Sequence, residues 1–213
     1  MKRVRILLAD DHTLVCSAFQ KLLEPRYEVV GIVGDGRALL KAVVEFNPDL
    51  VLLDIAMPLL NGLDAGRELK KLLPNVKLIY LTMNTNLEFA AEALRVGASA
   101  YVLKNSPFSE LLKAIEDAVR GISYVSPQIR RAMEEAFIRD PNGVAGAKRL
   151  TERQVEVLQM LAEGRPLKEI AEILQISYRT VRFHKVRVME ELGITTTSEL
   201  VHYAMKHGMI PSA

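Results

Sequence analysis

Cysteine, long apolar runs and net charge are all scarce in this 213-residue chain. The one cysteine, Cys16, excludes an internal disulfide and suits a reducing compartment. It falls in the helical pattern after the first apolar run, where a buried structural thiol is expected. Neither a signal-peptide pattern nor an apolar run of about 18 residues occurs, so the sequence predicts a soluble, cytoplasmic protein with no membrane partner. Charge nearly cancels, with 28 Lys+Arg against 26 Asp+Glu. Residues 1–124 hold 15 of each sign, and residues 148–213 hold 10 basic and 8 acidic. The second segment is only mildly basic, which does not by itself establish nucleic-acid binding. The dinucleotide order GxGxxG is missing as well. The glycines of Gly31-Ile32-Val33-Gly34-Asp35-Gly36 are spaced differently and read as a tight βα turn.

What the chain does have is apolar material for two cores, 49% of its residues, and a length that favours two domains over one. Strand-like runs at 4–9, 28–33, 50–53, 77–81 and 100–103 alternate with amphipathic stretches near 12–24, 36–46, 62–72, 86–96 and 107–120. This predicts a doubly wound α/β fold with a five-stranded parallel sheet. Gly62, Gly97 and Gly121 punctuate element boundaries, and Pro107 suits the first turn of the last helix.

The chemistry gathers at the ends of these runs. Leu50-Val51-Leu52-Leu53 reads as a strand buried on both faces, and it ends on Asp54; Pro58 forbids its continuation. Asp10-Asp11 closes the first strand. The carboxyl ends of strands are where open α/β sheets form their ligand crevice. Three carboxylates there require a compensating cation, and a hard, oxygen-seeking Mg²⁺ suits them. Thr82 and Lys104 end two further strands and add a hydroxyl and a cation. His12, next to the acidic pair, is read as the start of a helix rather than as a ligand.

Asp10-Asp11, Asp54, Met57-Pro58, Thr82 and Lys104 together resemble the receiver domain of two-component response regulators, over about residues 3–121. The resemblance implies that a sensor histidine kinase phosphorylates Asp54. It also implies that Asp11, Asp54 and the Ala56 carbonyl hold Mg²⁺ with Asp10 beside them, and that Lys104 pairs with the phosphoryl oxygens. Thr82 and Tyr101 would form the switch, the ring turning inward as Thr82 moves onto the phosphoryl group. Ala56 and Asn84 would flank the approach of water.

Residues 122–146 change character: Pro127, Pro141, Asn142, Gly143 and Gly146 bracket a helical pattern from Arg130 to Arg139, read as a linker with a helix inside it. Residues 147–213 are helical. Thr151 and Gln154 form a potential capping box, and Leu150, Val155, Leu158 and Leu161 form an apolar stripe. The run Leu167–Leu174, a turn at Gln175-Ile176 and a longer helix from Ser177 to about Leu192 read as helix-turn-helix. Val181, His184, Val188 and Leu192 share an inward face, which leaves Arg179, Arg182, Phe183, Val186 and Arg187 outward. Arginines beside an exposed Phe and Val suit a DNA major groove, with Arg179 and Lys185 on phosphates.

Leu150-Thr151, Lys168-Glu169-Ile170-Ala171, Thr180-Val181-Arg182, His184 and Gly193 are similar to the LuxR-type helix-turn-helix of NarL/FixJ response regulators. By that resemblance Lys168 and Thr180 grip phosphates, while Arg182, Phe183 and Val186 face bases of double-stranded DNA, with the active protein a homodimer. Two positions depart from the pattern. Pro166-Leu167 replaces the common Ser-Asn, and Glu191 replaces a Lys, so no phosphate contact is carried to Glu191. The chain is therefore expected to be a DNA-binding response regulator, not an enzyme acting on outside substrates. An aspartate-nucleophile phosphatase would need an Asp-x-Asp pattern after the first strand, and none occurs. A DNA-binding regulator whose receiver serves only dimerisation is the alternative; the intact acidic cluster speaks against it. The unphosphorylated receiver is expected to restrain the second domain, by covering Phe183 and Val186 or by keeping the protein monomeric.

Overall fold

The computed structural model describes residues 3–139, 150–207 and 209–210. The N-terminal alternation becomes β1 (Arg5–Ala9), α1 (Thr13–Leu23), β2 (Glu28–Val33), α2 (Gly36–Phe46), β3 (Leu50–Leu53), α3 (Gly62–Leu72), β4 (Lys77–Thr82), α4 (Leu87–Arg95), β5 (Ala100–Leu103) and α5 (Phe108–Val119). The strands pair in parallel in the order β2-β1-β3-β4-β5, and a short sixth strand, β6 (Tyr124–Val125), extends the edge beyond β5. Side chains alternate across the sheet. Leu7, Ala9, Val51, Leu53, Leu78, Tyr80, Tyr101 and Leu103 pack against α2, α3 and α4. Ile6, Leu8, Leu50, Leu52, Ile79, Leu81 and Val102 meet α1 and α5 on the other face. Burial on both faces explains why these strands read as unbroken apolar runs.

The sheet thus has six strands where five are predicted. Two residues are too few to show a period, and β6 is bounded by serines and Pro127. The helix read inside the linker begins earlier than predicted, as α6 (Pro127–Arg139), and buries Ile129 in the core beneath α4. The rest of the predicted linker, Pro141 to Gly146, lies outside the described residues, as does the predicted domain start at residue 147. Pro107 stands at the N-cap of α5 rather than in its first turn.

The C-terminal helices are α7 (Glu152–Ala162), α8 (Leu167–Leu174), α9 (Tyr178–Leu192) and α10 (Thr197–Lys206). Thr151 and Gln154 close the expected capping box, and Ser177 caps α9 by accepting from the Thr180 amide. Pro166 caps α8 without a side-chain hydrogen bond. Gln175, left-handed at φ 53°, makes the sharp turn between α8 and α9. Val157, Leu158, Ile170, Leu174, Val181, Val188, Leu200 and Ala204 form a second core. One expectation changes here. Instead of a single apolar stripe, α7 buries Val157, Leu158, Gln159, Met160 and Leu161 in succession, while Val155 is only half-buried. A helix that buries consecutive residues has a partner on more than one side, and the second partner of α7 is the N-terminal domain.

Candidate functional site

Strand order reverses between β1 and β3, because the chain leaves β1 for β2 on one side and then crosses to β3 on the other. Ala9 pairs with Leu53, so the residues that follow, Asp10 and Asp54, emerge side by side at the switch point. Asp54 is 4% exposed and Asp10 8%. Lys104, arriving from the end of β5, places its ammonium 2.7 Å from Asp10 Oδ2 and 2.7 Å from Asp54 Oδ2. Asp54 Oδ1 accepts from the Ile55 amide at 2.7 Å. Burial pushes the Asp54 carboxyl above its ordinary range, and Lys104 draws it partly back. Burial alone would lower the Lys104 pKa, but Asp54 and Asp10 together hold the ammonium protonated, above its ordinary value.

Ligand atoms of Asp10, Asp11, His12 and Asp54 all lie within 4.8 Å of one another. Asp11 Oδ1 is buried, stands 2.8 Å from His12 Nδ1 and makes no well-formed hydrogen bond. An orphaned carboxylate oxygen among two further carboxylates is the donor set a hard divalent cation prefers. His12 is the N-cap of α1, and its amide donates to Asp10 Oδ1 at 3.0 Å. Gly62, the first residue of α3, presses against this strand end; a Cβ there would collide with the Asp54 carbonyl. Ala56 is half-buried on the loop between β3 and α3.

Thr82 is 1% exposed and its Oγ1 accepts from the Asn84 amide at 3.1 Å. Tyr101 is fully buried, and its hydroxyl donates to the Asn84 carbonyl at 2.8 Å. The two expected switch residues therefore grip the two faces of one residue in the loop leading to α4, and the Tyr101 ring already points inward.

On α9 the predicted faces separate in part, His184 and Leu192 of the expected inward face being only half-buried. Val181 and Val188 are buried, whereas Phe183 is 56% and Val186 46% exposed, and Arg179, Arg182 and Arg187 are exposed. Lys168 is exposed on α8, and Thr180 and Lys185 are half-buried. Arg187 lies over the Phe183 ring, 5.5 Å from its centroid. Sequence reasoning passed over Tyr178, 49% exposed at the first turn of α9; its place directly after the Ser177 cap was the available signal. Glu191, the departure from the family pattern, accepts from Gln154 Nε2 at 3.2 Å and so ties α9 to α7. The expected covering of Phe183 and Val186 is not what this structure has. The domains touch through α7 and, beyond the end of α10, through His207 Nδ1, 3.9 Å from Glu88 Oε2 of α4, and the face of α9 stays open.

Residues 6–116 match the response regulator receiver domain, and residues 148–204 match the luxR family of bacterial regulatory proteins. The chain is a response regulator of the receiver–LuxR class. It is 35% identical to the oxygen regulatory protein NreC of Staphylococcus aureus, over 97% of this chain and 99% of that protein. Among solved structures it is similar to the RcsB response regulator of Salmonella typhimurium, at 27% identity and a TM-score of 0.68, covering 97% of this chain and 98% of the other. RcsB from Salmonella enterica serovar Typhimurium bound to the promoter P1flhDC with the phosphomimetic BeF3⁻ matches at 28% identity and a TM-score of 0.66, covering 96% of this chain and all of that one. This response regulator is thus a DNA-binding transcription regulator and not an enzyme. Among its described residues no helix is long and apolar enough to cross a membrane.

Proposed function

We propose that a sensor histidine kinase phosphorylates this regulator on Asp54, and that the aspartyl phosphate controls its binding to promoter DNA as a homodimer in the cytoplasm. The observation that carries the reading is the double ion pair of Lys104 with Asp10 and Asp54 at the switch point of the sheet. In the transfer, an Asp54 carboxylate oxygen attacks phosphorus in line. The new P–O bond forms as the P–N bond of the kinase phosphohistidine breaks, and the imidazole nitrogen keeps the electron pair. Lys104 leaves its carboxylate partners to pair with the oxygens of the incoming group, where its fixed charge acts in a water-poor crevice. Asp11, Asp54 and the Ala56 carbonyl would hold Mg²⁺, with Asp10 alongside; the metal supplies neutralising charge for an anion entering among carboxylates. Thr82 offers its hydroxyl to the same group, and Tyr101 holds the adjoining loop through Asn84.

For DNA we assign Arg182, Phe183 and Val186 to base edges, and Lys168, Arg179, Thr180 and Lys185 to phosphates. The assignment rests on the exposure of Lys168, Arg179, Arg182, Phe183 and Val186, with Thr180 and Lys185 half-buried among them. The receiver is assigned to residues 1–121, the linker to 122–146 and the DNA-binding domain to 147–213. RcsB bound to a promoter with a phosphomimetic, and two RcsB dimers on two DNAs, support phosphoryl control and dimeric binding. The test is labelling by acetyl phosphate with Mg²⁺: wild type should gain one acid-stable, hydroxylamine-labile phosphoryl group, and Asp54→Asn none.

A further inference from the structure

The loop that leads away from Asp54, Ile55 to Asn61, satisfies its own backbone only in part: the Met57 amide donates to the Ile55 carbonyl and the Leu60 amide to the Pro58 carbonyl. Leu59 is left-handed, at φ 67°, which is costly for a bulky side chain. Three of its main-chain polar groups are met by side chains of α7, about a hundred residues away in the chain. Gln159 is 0% exposed; its Nε2 donates to the Met57 carbonyl at 2.6 Å and its Oε1 accepts from the Asn61 amide at 2.8 Å. Glu163 Oε1 accepts from the Leu59 amide at 3.1 Å and from Gln159 Nε2 at 3.0 Å. The orientation of the Gln159 amide is fixed by this set, since its nitrogen faces two acceptors and its oxygen faces a donor. Arg165 neutralises Glu163, with Nε 2.9 Å from Oε2, and Arg37 pairs with Glu156 across the same boundary at 3.1 Å.

We infer that Gln159 and Glu163, residues of the DNA-binding domain, are positioning residues for the phosphoacceptor loop of the receiver, and that docking of α7 promotes phosphorylation of Asp54 rather than opposing it. The inference rests on the proposed phosphorylation of Asp54. Buried backbone groups must find partners; within the loop the Met57 and Leu60 amides find theirs on the Ile55 and Pro58 carbonyls, but the Met57 carbonyl and the Leu59 and Asn61 amides find theirs on the other domain. Without α7, Leu59 loses the acceptor that holds its amide in the left-handed form, and the loop has no reason to keep it. The docked arrangement is also compatible with output. Phe183, Val186 and Arg182 remain exposed, and Tyr101 is already buried against Asn84. Coupling of this kind is reciprocal, so whatever stabilises the docked loop favours the phosphoryl group, and the phosphoryl group favours docking.

The test uses the full chain with two readouts. The first is amide hydrogen exchange at Leu59 and Asn61, measured in an Asp54→Asn background so that it does not depend on phosphorylation. The second is the initial rate of labelling by acetyl phosphate at fixed Mg²⁺. Gln159→Ala removes the acceptor of the Asn61 amide and the donor that aims Glu163 Oε1 at the Leu59 amide, so it should speed exchange at both amides and slow labelling, each about three- to tenfold, as expected for the loss of one or two hydrogen bonds. Leu59→Gly added to Gln159→Ala should bring labelling back to within about twofold of wild type, because glycine takes the left-handed form freely; a variant that merely misfolds would not be rescued this way. Faster labelling in Gln159→Ala would overturn the inference in favour of a restraining contact. Unchanged exchange, or no rescue by Leu59→Gly, would overturn it as well. An unlabelled wild type with the expected exchange would refute the phosphorylation reading and, with it, the claim that docking promotes phosphorylation, while leaving the positioning role standing.

Discussion

Lys104→Met tests the acidic crevice most sharply, because it removes the charge and keeps much of the volume. The Lys104 side chain is 8% exposed, and the side chains of its partners Asp10 and Asp54 are 9% and 5% exposed. Removing one member of a buried ion pair leaves an uncompensated charge and costs about 3–5 kcal/mol; here two carboxylates are left. The loss should be greatest near neutral pH. Burial already raises the Asp54 carboxyl, and without Lys104 it rises further. A carboxyl whose folded pKa exceeds its unfolded value subtracts stability as pH climbs through that range, so acidification that protonates Asp54 should shrink the deficit. Mg²⁺ should shrink it too, since the variant lacks the ammonium that competes with the cation for Asp10 and Asp54, binds it more tightly than wild type does and so gains more folded-state stability from it. The assay is urea unfolding of wild type and variant at pH 7 in chelator, at pH 7 with Mg²⁺, and near pH 4.5. A variant as stable as wild type in chelator, with no gain from Mg²⁺, would refute the convergence of these charges.

Other expectations concern the metal, the packing and the DNA. Asp11→Ala should abolish Mg²⁺-dependent labelling while circular dichroism shows the sheet intact; labelling that survives in chelator would contradict the metal assignment. Gly62→Ala should slow labelling and lower the melting temperature together, because its Cβ has no room beside the Asp54 carbonyl. Arg182→Ala and Phe183→Ala should each cost about 1–3 kcal/mol at a cognate site and less on random DNA. Lys168→Ala should weaken all sequences alike and reduce the slope of log K against log salt by about one, both read by fluorescence anisotropy.

Much of this architecture is legible in the chain because interior parallel strands leave a strong trace. Leu50 to Leu53 announces a buried strand, and the residue that ends it, Asp54, is placed by topology alone. The outward face of α9 is equally legible, since Phe183 and Val186 fall on the side opposite Val181 and Val188. What escaped reading depends on tertiary contact. Tyr124 and Val125 have no period to detect, and they form a strand because the edge of β5 is there to receive them. Leucine has no preference for a left-handed backbone, so nothing in Met57-Pro58-Leu59 signals the φ of 67°. Gln159 stood in plain view between Leu158 and Met160, but a polar residue in a helix normally means solvent. Only the fold shows that it means a second domain.

The central claim, that phosphorylation of Asp54 controls DNA binding, is tested most directly by the affinity of the full-length protein for a promoter duplex with and without beryllofluoride and Mg²⁺. The promoter is first located by genome-wide occupancy. The account predicts tighter binding with the phosphoryl mimic in wild type and no response in Asp54→Asn. Equal affinity with and without the mimic in wild type, or an undiminished response in Asp54→Asn, would contradict it.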